Sequence, residues 1–479
     1  MKKNKLVFTV FVVVVLLMLT SLGLYFLVDL NSHKPSIESA LSNALGLHVR
    51  IKGNIGFVLF PDLHISMGDI NISGRESEIA SLEKIAFGLK IIPLLKGRVI
   101  IDEITIRKPE ISLVRLKNGE FNVTQKTTQT TEQEENHIPP LAVNTIFLSD
   151  GDILYTDQKS GKVTEWNGVK ITVKDLSTGA TGKKEMTKDI SFNGSVYSKH
   201  LKSHSVDLSD LTFQIHAKEG LYNIRELSSK IFSGKGKGEV TFDVSGKPPS
   251  LNIQSALSQF RLEEFLHLLS EKETMAGEVN LSLNVSMQGK GMDEMKKTMQ
   301  GHISLRGENL VLKNYDIDRI LNTYKDTQSI GALDIGAFFL AGPVGTAVTK
   351  GYHYEELFRQ TGRGEGMMKK FVSDWNIENG VAIAEDVAIA TRRNRLAVKG
   401  RLDLVKEKYE DVIVALINER GCAALTQKIY GSLNNPQFQK TTVLQSAVGS
   451  VLSLIGKGGK FLPGAQCEAF YTGSVDHPK

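Results

Sequence analysis

The chain has 479 residues, of which 41% are hydrophobic and 23% are charged, with 43 glycines, 12 prolines and 2 cysteines. This composition excludes a collagen-like chain, a disulfide-dense chain and wholesale disorder. The net charge of +5 is small and no long basic stripe occurs, so nucleic acid is not an expected partner.

The first segment predicts a membrane anchor. Lys2, Lys3 and Lys5 precede an uncharged stretch, residues 6–28, which is long enough to cross a bilayer. The stretch ends in large residues, whereas a signal-peptidase cleavage site needs small ones, which favours a retained signal-anchor over a cleaved signal peptide. Because lysines flank only its N-terminal side, the positive-inside rule puts the N-terminus in the cytoplasm and the rest in a periplasm-like space.

Few helices are predicted after the anchor. Residues 36–47 have apolar residues at helical spacing and end at a glycine, and shorter helices are expected at 262–269 and 317–324. The polar stretch before Pro139-Pro140 predicts a flexible linker. Near the C-terminus, residues 443–462 are apolar but glycine-laced, which predicts a tail helix that caps the sheet or touches a membrane.

Most of the chain predicts β-strands, because apolar and polar residues alternate along it. The longest alternation covers residues 279–287, and shorter ones are separated by turn signals such as Asn379-Gly380. The pattern fits an antiparallel meander with one apolar face, and it fits a β-sandwich in which two apolar faces meet. The apolar-face candidates are Val279, Leu281, Leu283, Val285, Met287, Val240, Phe242, Val244, Leu211, Phe213 and Ile215.

The two cysteines, Cys422 and Cys467, are candidates for a disulfide in an exported protein. The alternative is two unpaired thiols, since the sequence does not show their separation in space. No CxxC motif or nearby histidine cluster accompanies either cysteine, so no metal site is predicted.

The sequence contains none of the common catalytic motifs considered below. The GxxxxGK[ST], HExxH and GxSxG patterns do not occur. Asp150 and Asp152 lack the remaining ligands of a calcium loop, and a turn is the favoured interpretation. His200 and His204 lie in a polar stretch and are expected to be solvated, while the glycines at 362, 364 and 366 lack nucleotide-binding spacing. We therefore predict no catalytic residue, metal or cofactor.

Four segments carry a resemblance to the AsmA family. Residues 37–72 include ALG and then HVRIKGNIGFVLFPDLHISMGDINI, which is similar to the N-terminal module of that family. From Leu89, the PLLKG turn, KPEISL and NGEFN are also AsmA-like. Residues 148–176 resemble a hairpin of the family, and residues 371–404 resemble its repeated C-terminal unit.

The resemblance implies a mainly β fold. An N-terminal transmembrane helix would be followed by an extended, curled antiparallel β-sheet, groove- or taco-like, with a few short helices. The expected organisation is an anchor (1–28), an AsmA-like, chorein-like module (29–123), a polar linker (124–140), a β-rich groove domain (141–440) and a helical, glycine-rich tail (441–479).

The resemblance also implies a function. The chain is expected to be a single-pass inner-membrane protein with its bulk in the periplasm, which handles phospholipid acyl chains in an apolar groove lined by the apolar-face candidates. This role would contribute to phospholipid transport and outer-membrane biogenesis. The alternative is a non-catalytic scaffold or assembly factor for outer-membrane proteins, with the apolar face closed as a core. The expected partners are membrane lipids, the inner membrane, and outer-membrane or periplasmic assembly proteins.

Overall fold

The computed structural model describes residues 30–58, 63–74, 77–95, 100–123, 142–179, 186–203, 206–268, 275–313, 316–319, 364–439, 442–443 and 467–478. Within these ranges no helix is long and apolar enough to cross a membrane. The predicted anchor, residues 6–28, lies outside the described residues. The polar linker, most of the predicted tail and most of the predicted 317–324 helix also lie outside them.

The first of two compact units, Met1–Ser229, is mainly β. Its alternating sequence suits strands that have one apolar and one polar face. The described strands are β1 (His48–Ile51), β2 (Ile55–Val58), β3 (Leu63–Ser73), β4 (Glu78–Leu89), β5 (Ile101–Arg115), β6 (Ala142–Asp157), β7 (Lys162–Thr178), β8 (Ile190–Ser203), β9 (Val206–Lys218) and β10 (Leu221–Ile231), the last of which ends just past the unit boundary. The helices are α1 (Lys34–Leu45), α2 (Ile91–Leu95) and α3 (Met186–Asp189).

Helix α1 confirms the first predicted helix to within two residues. Pro35 lies in its first turn, where a missing N–H costs nothing, and Gly46 ends it in the left-handed conformation at φ 67°. Ile37 and Leu41 face the core that β1–β4 form, one helical turn apart. The helix is also tied to β1, because the Ser42 hydroxyl accepts a hydrogen bond from the Val49 N–H at 2.9 Å.

The strand order of the first unit is linear. β1 and β2 both pair with β3, and the order continues through β4, β5, β6, β7, β8 and β9. All of these pairs are antiparallel except β5–β6, which is parallel, with Glu103 opposite Thr145 and Arg115 opposite Asp157. A parallel pair needs a long return connection, and the chain between residues 115 and 142 provides one.

The predicted mainly β fold is confirmed, but the sheet differs from the prediction in two respects. It is mixed rather than purely antiparallel, because β6 begins at the same end of the sheet as β5 and runs parallel to it. It is also open, with a linear strand order, where the sequence predicts a curled groove. Alternation along a strand fixes which residues share a face, and it does not fix how neighbouring strands are arranged.

The second unit, Lys230–Lys479, is also mainly β. Its described strands are β11 (Gly234–Asp243), β12 (Ser250–Arg261), β13 (Met275–Ala276), β14 (Glu278–Gln288), β15 (Gln300–Leu312), β16 (Gly366–Glu378), β17 (Val381–Ala390), β18 (Arg395–Asp403), β19 (Lys408–Ile417), β20 (Ala423–Ser432), β21 (Asn435–Phe438) and β22 (Thr442–Val443). The described helices are α4 (Leu262–His267), close to the prediction at 262–269, and α5 (Met292–Thr298), which the sequence analysis did not predict. The strands from β11 through β12 and β14 to β20 pair in that order, and each of these pairs is antiparallel.

Both faces of the later strands in the second unit are buried. Phe371 and Trp375 of β16 belong to a large cluster on one face, and Val372 between them belongs to a second cluster on the other face. The second cluster also contains Tyr471 and Val475 from the C-terminal segment, residues 467–478. That segment therefore covers the second face, so these strands are buried on both sides.

A disulfide holds the C-terminal segment to the sheet. Cys422, just before β20, is joined to Cys467, and their Cα atoms are 6.1 Å apart, within the usual range. Next to it, the N–H groups of Phe470 and Tyr471 both donate to the Gly421 carbonyl. The covalent bond closes a loop of 45 residues in sequence separation.

We expect the disulfide to stabilise the second unit by restricting its unfolded state. Replacing both cysteines with serine should lower the free energy of unfolding by about 3–4 kcal/mol for a loop of this length. Trp375 is buried in the core of this unit, so its fluorescence during urea unfolding, in a Trp166→Phe background, measures the change. As a control, adding a thiol reductant should destabilise the Trp166→Phe protein and leave the serine variant unchanged. Equal free energies of unfolding for the cysteine and serine proteins without reductant would contradict the prediction.

Candidate functional site

A band of apolar side chains crosses the first unit from β2 to β9. The strand register places apolar residues directly opposite one another on successive strands, which brings their side chains into contact. The residues form two rows across the strands, which we together call the apolar strip. The first row is Ile55, Met67, Ile85, Ile106, Leu148, Ile171, Val196 and Phe213, and the second is Phe57, Ile65, Phe87, Ile104, Ile146, Val173, Gly194 and Ile215.

Left-handed residues keep apolar side chains on one face along some of these strands. In β3, Met67 and Ile70 belong to one core cluster although they are three residues apart, and Asp69 between them has φ 46°. A regular strand would point residues three apart to opposite faces. Left-handed residues also occur near this level in other strands: Lys108 in β5, Asp150 in β6, Gly168 in β7 and Asp210 in β9.

Gly151 shows that the reversal also occurs in β6. A Cβ atom at this position would lie 2.9 Å from Leu148 Cδ2 and 3.0 Å from Pro109 Cγ. Leu148 and Gly151 therefore face the same side although they are three residues apart, as Met67 and Ile70 do in β3. The close approach of Pro109 from β5 also explains why glycine is required here, since a side chain would displace it.

The opposite face of the same strands is mainly polar, with Phe147 of β6 exposed on it. Its side chains bond across strands: Thr212 with Ser228 at 2.8 Å, and His216 Nδ1 with Asn193 Oδ1 at 2.6 Å. Lys108 pairs with Glu83 at 2.7 Å on this unit as well, and the ion-pair hydrogen bond lowers the pKa of the fully exposed Glu83 carboxyl. The sheet is thus amphipathic, with one face suited to water and the other to hydrocarbon.

The apolar strip is only half-buried over most of its length. Ile55 and Met67 are buried beneath α1, but the members of the strip on β4–β9 are all of intermediate exposure. Eight strands at ~4.8 Å spacing make the strip about 34 Å long. One leaflet of a bilayer has a hydrocarbon depth of ~15 Å, so the strip is long enough for an acyl chain lying along it.

The second unit holds most of the apolar-face candidates, and its apolar face is more closed. Val279, Val285 and Met287 are buried in the large core cluster, and Leu281 and Leu283 pack against it. The register across β12 aligns Val240 of β11 with Val285 of β14, and Phe242 with Met287. Val240 and Val244 are half-buried and Phe242 is 37% exposed, so the face is covered more fully towards β14 than at β11.

Three candidates, Leu211, Phe213 and Ile215, lie in the first unit on β9. Phe213 and Ile215 end the two rows of the apolar strip. Sequence reasoning missed the rest of the strip, although the alternation at Ile171 and Val173 is visible in the sequence. The signal was weak because the left-handed residues interrupt each alternation after a few residues.

A buried polar cluster lies under the C-terminal segment of the second unit. Arg306 of β15 pairs with Asp374 of β16, with 3.3 Å between Arg306 Nε and Asp374 Oδ1. On β17, Asp386 accepts hydrogen bonds from the Tyr471 hydroxyl and from the Ser474 N–H, the latter at 3.0 Å. The Asp386 contacts hold the C-terminal segment to the sheet at β17.

Arg395 of β18 bonds both to this segment and to the chain just past the end of β19. Its Nη1 donates to the Val475 carbonyl at 2.9 Å and its Nη2 donates to the Asn418 carbonyl at 2.6 Å. The guanidinium also lies over the Tyr471 ring, 5.4 Å from its centroid. The cluster was not predicted, since its members come from five separate parts of the chain.

Hydrogen bonding fixes the protonation of this cluster. Burial raises the pKa of the Tyr471 hydroxyl far above its ordinary value, and the bond to Asp386 raises it further. Burial also acts to raise the pKa of Asp386, but the bonds from Tyr471 and Ser474 outweigh it and the net pKa is lowered. The hydrogen bond to Asp374 raises the pKa of Arg306. A neutral tyrosine and an ionised carboxylate in fixed bonds serve to hold the segment rather than to transfer protons.

The aspartate and histidine motifs that the sequence did not assign to a site have structural contacts or lie outside the described residues. Asp150 is one of the left-handed residues, and Asp152 accepts a hydrogen bond from the Gly168 N–H at 2.9 Å. His200 is half exposed and lies 3.6 Å from Asp207, while position 204 is not described. Across the described ranges, no group of three or more His, Cys, Asp or Glu side chains could hold a metal ion.

Comparison with known proteins gives one match. The profile of the AsmA family matches residues 1–187 and 179–382. These ranges include the first three segments on which the resemblance was based and the start of the fourth, so the predicted resemblance is confirmed. No curated protein and no solved structure matches the chain.

The Asp386 carboxylate should make the second unit less stable in acid. Its folded pKa is lower than the unfolded value of about 3.9, so its contribution is complete above that pH and is lost as the pH falls through the folded pKa. Asp386→Asn should therefore cost about 1–2 kcal/mol at neutral pH and should reduce the loss of stability below pH ~4. Urea unfolding followed by Trp375 fluorescence, with Trp166→Phe and Tyr471→Phe as reference variants, measures both effects. If the free energy of unfolding falls equally steeply below pH ~4 in Asp386→Asn and in the reference proteins, the lowered pKa of Asp386 is contradicted.

Proposed function

The chain belongs to the AsmA family, and on this basis we propose that it is an inner-membrane protein that handles lipid on an apolar sheet face. The role contributes to phospholipid transport and outer-membrane biogenesis, which is consistent with membership of the family. The ligand class is the phospholipid acyl chain, and the reaction class is transfer without chemical change.

The observation that carries the proposal is the apolar strip. Its two rows run without a polar member from β2 to β9, and they stay half-exposed over β4–β9. A continuous exposed apolar band is a binding feature rather than a normal protein surface. The polar opposite face meanwhile keeps the sheet compatible with water.

The apolar strip suits movement of an acyl chain along it better than binding of the chain at one fixed position. Each buried CH₂ group contributes about 0.8 kcal/mol, so an acyl chain gains strongly from leaving water. Along the strip, successive strands present similar aliphatic side chains, such as Ile106, Leu148 and Ile171. A chain that slides by one strand therefore exchanges equivalent contacts, and no catalytic residue is needed.

The proposed location is the inner membrane, with the N-terminus cytoplasmic and the bulk of the chain periplasmic. The uncharged stretch at 6–28, with lysines before it, supports this orientation. The Cys422–Cys467 disulfide also fits an oxidising compartment. Outer-membrane or periplasmic assembly proteins remain proposed partners on the basis of the family.

A scaffold role is the second candidate, and the burial in the second unit favours it there. Val279 and Val285 are buried within the core cluster, as the closed-face alternative requires. In that role, strand edges would pair with strands of outer-membrane proteins. The two candidates differ in whether lipid occupies the apolar strip.

We expect phospholipid to copurify with the protein and to be lost when the strip is charged. Ile171→Asp places a carboxylate in the middle of the strip, where hydrocarbon cannot solvate it, and bound phospholipid should fall at least about tenfold. Mass spectrometry of lipids extracted from the purified full chain measures the loss. Thr172→Asp is the matched control, since Thr172 lies on the polar face between Lys170 and Lys174 and should retain lipid.

Crosslinking separates loss of lipid from loss of fold. A photoreactive amino acid at 171 should label phospholipid in cells, and the same group at 172 should not. Folding of both aspartate variants is checked by Trp166 fluorescence, since this residue lies on the same strand. Absence of lipid from the folded wild-type protein and from the crosslink at 171 would favour the scaffold role.

A further inference from the structure

Three large apolar side chains are exposed at one end of the first unit. Ile92 of α2 is 72% exposed, Val58 at the end of β2 is 55% exposed, and Ile100 just before β5 is 38% exposed. Scattered single apolar residues on a surface need no explanation, and Leu45 at the end of α1 is one of them. These three differ because they lie along one edge of the sheet.

The register places the three residues on neighbouring strand ends. Val58 is opposite His64 at the start of β3, and Leu63 beside it is opposite Leu89 at the end of β4. Directly beyond, the Lys90 N–H donates to the Ile100 carbonyl at 3.1 Å, with α2 between them. β2 and β5 are three strand spacings apart, so the strand ends near Val58 and Ile100 are about 15 Å apart along the sheet edge, and α2 follows the end of β4 between them. We call this group the apolar tip.

The chain enters the first unit near the apolar tip. The Asn31 side chain accepts a hydrogen bond from the Ile55 N–H at 2.9 Å, at the start of β2. Val58 is three residues further along the same strand, a distance of about 10 Å. The residues that precede Asn31 include the proposed anchor at 6–28. An anchor that ends here brings the apolar tip close to the bilayer that it spans.

We propose that the apolar tip inserts into the outer leaflet of the membrane that holds the anchor. The inference rests on the proposed anchoring, and its occupant is the lipid bilayer itself. Ile92 and its neighbours would lie among the acyl chains, while the Lys90–Asp102 ion pair, 3.0 Å apart and half exposed, lies just behind them at headgroup level. The second row of the strip begins next to the tip, at Phe57 and Ile65, so lipid could pass from the leaflet to the strip.

A single-site fluorescence experiment tests this orientation. The two natural cysteines are joined in a disulfide, so Ile92→Cys introduces a single free thiol for an environment-sensitive dye. The labelled full chain is reconstituted in vesicles of phosphatidylethanolamine and phosphatidylglycerol that contain lipids with a nitroxide on the acyl chain. Ser160→Cys is the control, since this exposed turn lies at the opposite end of β6, about 45 Å from the tip.

The dye at 92 should be quenched several-fold more strongly than the dye at 160. Equal quenching at both positions, or a shielded dye at 92 that the nitroxide lipids do not quench, would overturn the proposal; the second result would mean that protein, such as the anchor segment, covers the tip. Failure of the chain to float with the vesicles would overturn both this inference and the proposed location. Copurifying phospholipid, measured on the same preparations, tests the proposed function separately.

Discussion

The structure depends on cross-strand register in the first unit. Apolar residues meet apolar residues at each of the seven strand pairs from β2 to β9, so the alternation within each strand becomes a continuous band across the sheet. A shift by one residue at a single pair would turn the following strands over and bring polar side chains into the band. The left-handed residues at Asp69, Lys108 and Asp150 act within this constraint, since they let long strands keep one apolar face.

The two units use the same amphipathic pattern differently. In the first, the apolar strip is half-buried and continuous, which suits a sliding ligand. In the second, the apolar face belongs to a large core, and the opposite face is also covered by a disulfide-bonded C-terminal segment. The second unit thus has the packing of a rigid body, whereas the first has a surface available for binding. The proposed lipid-handling role therefore concerns the first unit, and the proposed scaffold role the second.

The buried polar cluster shows how this rigidity is achieved on a face that is not purely apolar. Asp386 and Arg395 are each bonded to the C-terminal segment. Hydrogen bonds lower the pKa of the Asp386 carboxyl against the effect of burial, whereas burial lowers the pKa of the Arg395 guanidinium. Because the contacts join residues about 80 positions apart in sequence, they form only when the strands and the segment are both in place. This explains why a cluster with shifted pKa values is structural, since Asp386 and Tyr471 are bonded to each other.

The sequence by itself determined the strand content, helix α1, the amphipathic faces and the family, because local alternation, helix-end residues and short motifs are written in adjacent positions. It also identified Phe213 and Ile215, which lie on the apolar strip. Only the tertiary structure decided the parallel β5–β6 pair, the rows that join Ile106 to Leu148 and Ile171, and the different burial of equivalent alternations in the two units. The physical reason is that alternation states which residues share a face of one strand. Register and burial depend on the partner strands and on what covers them, which lie far away in sequence.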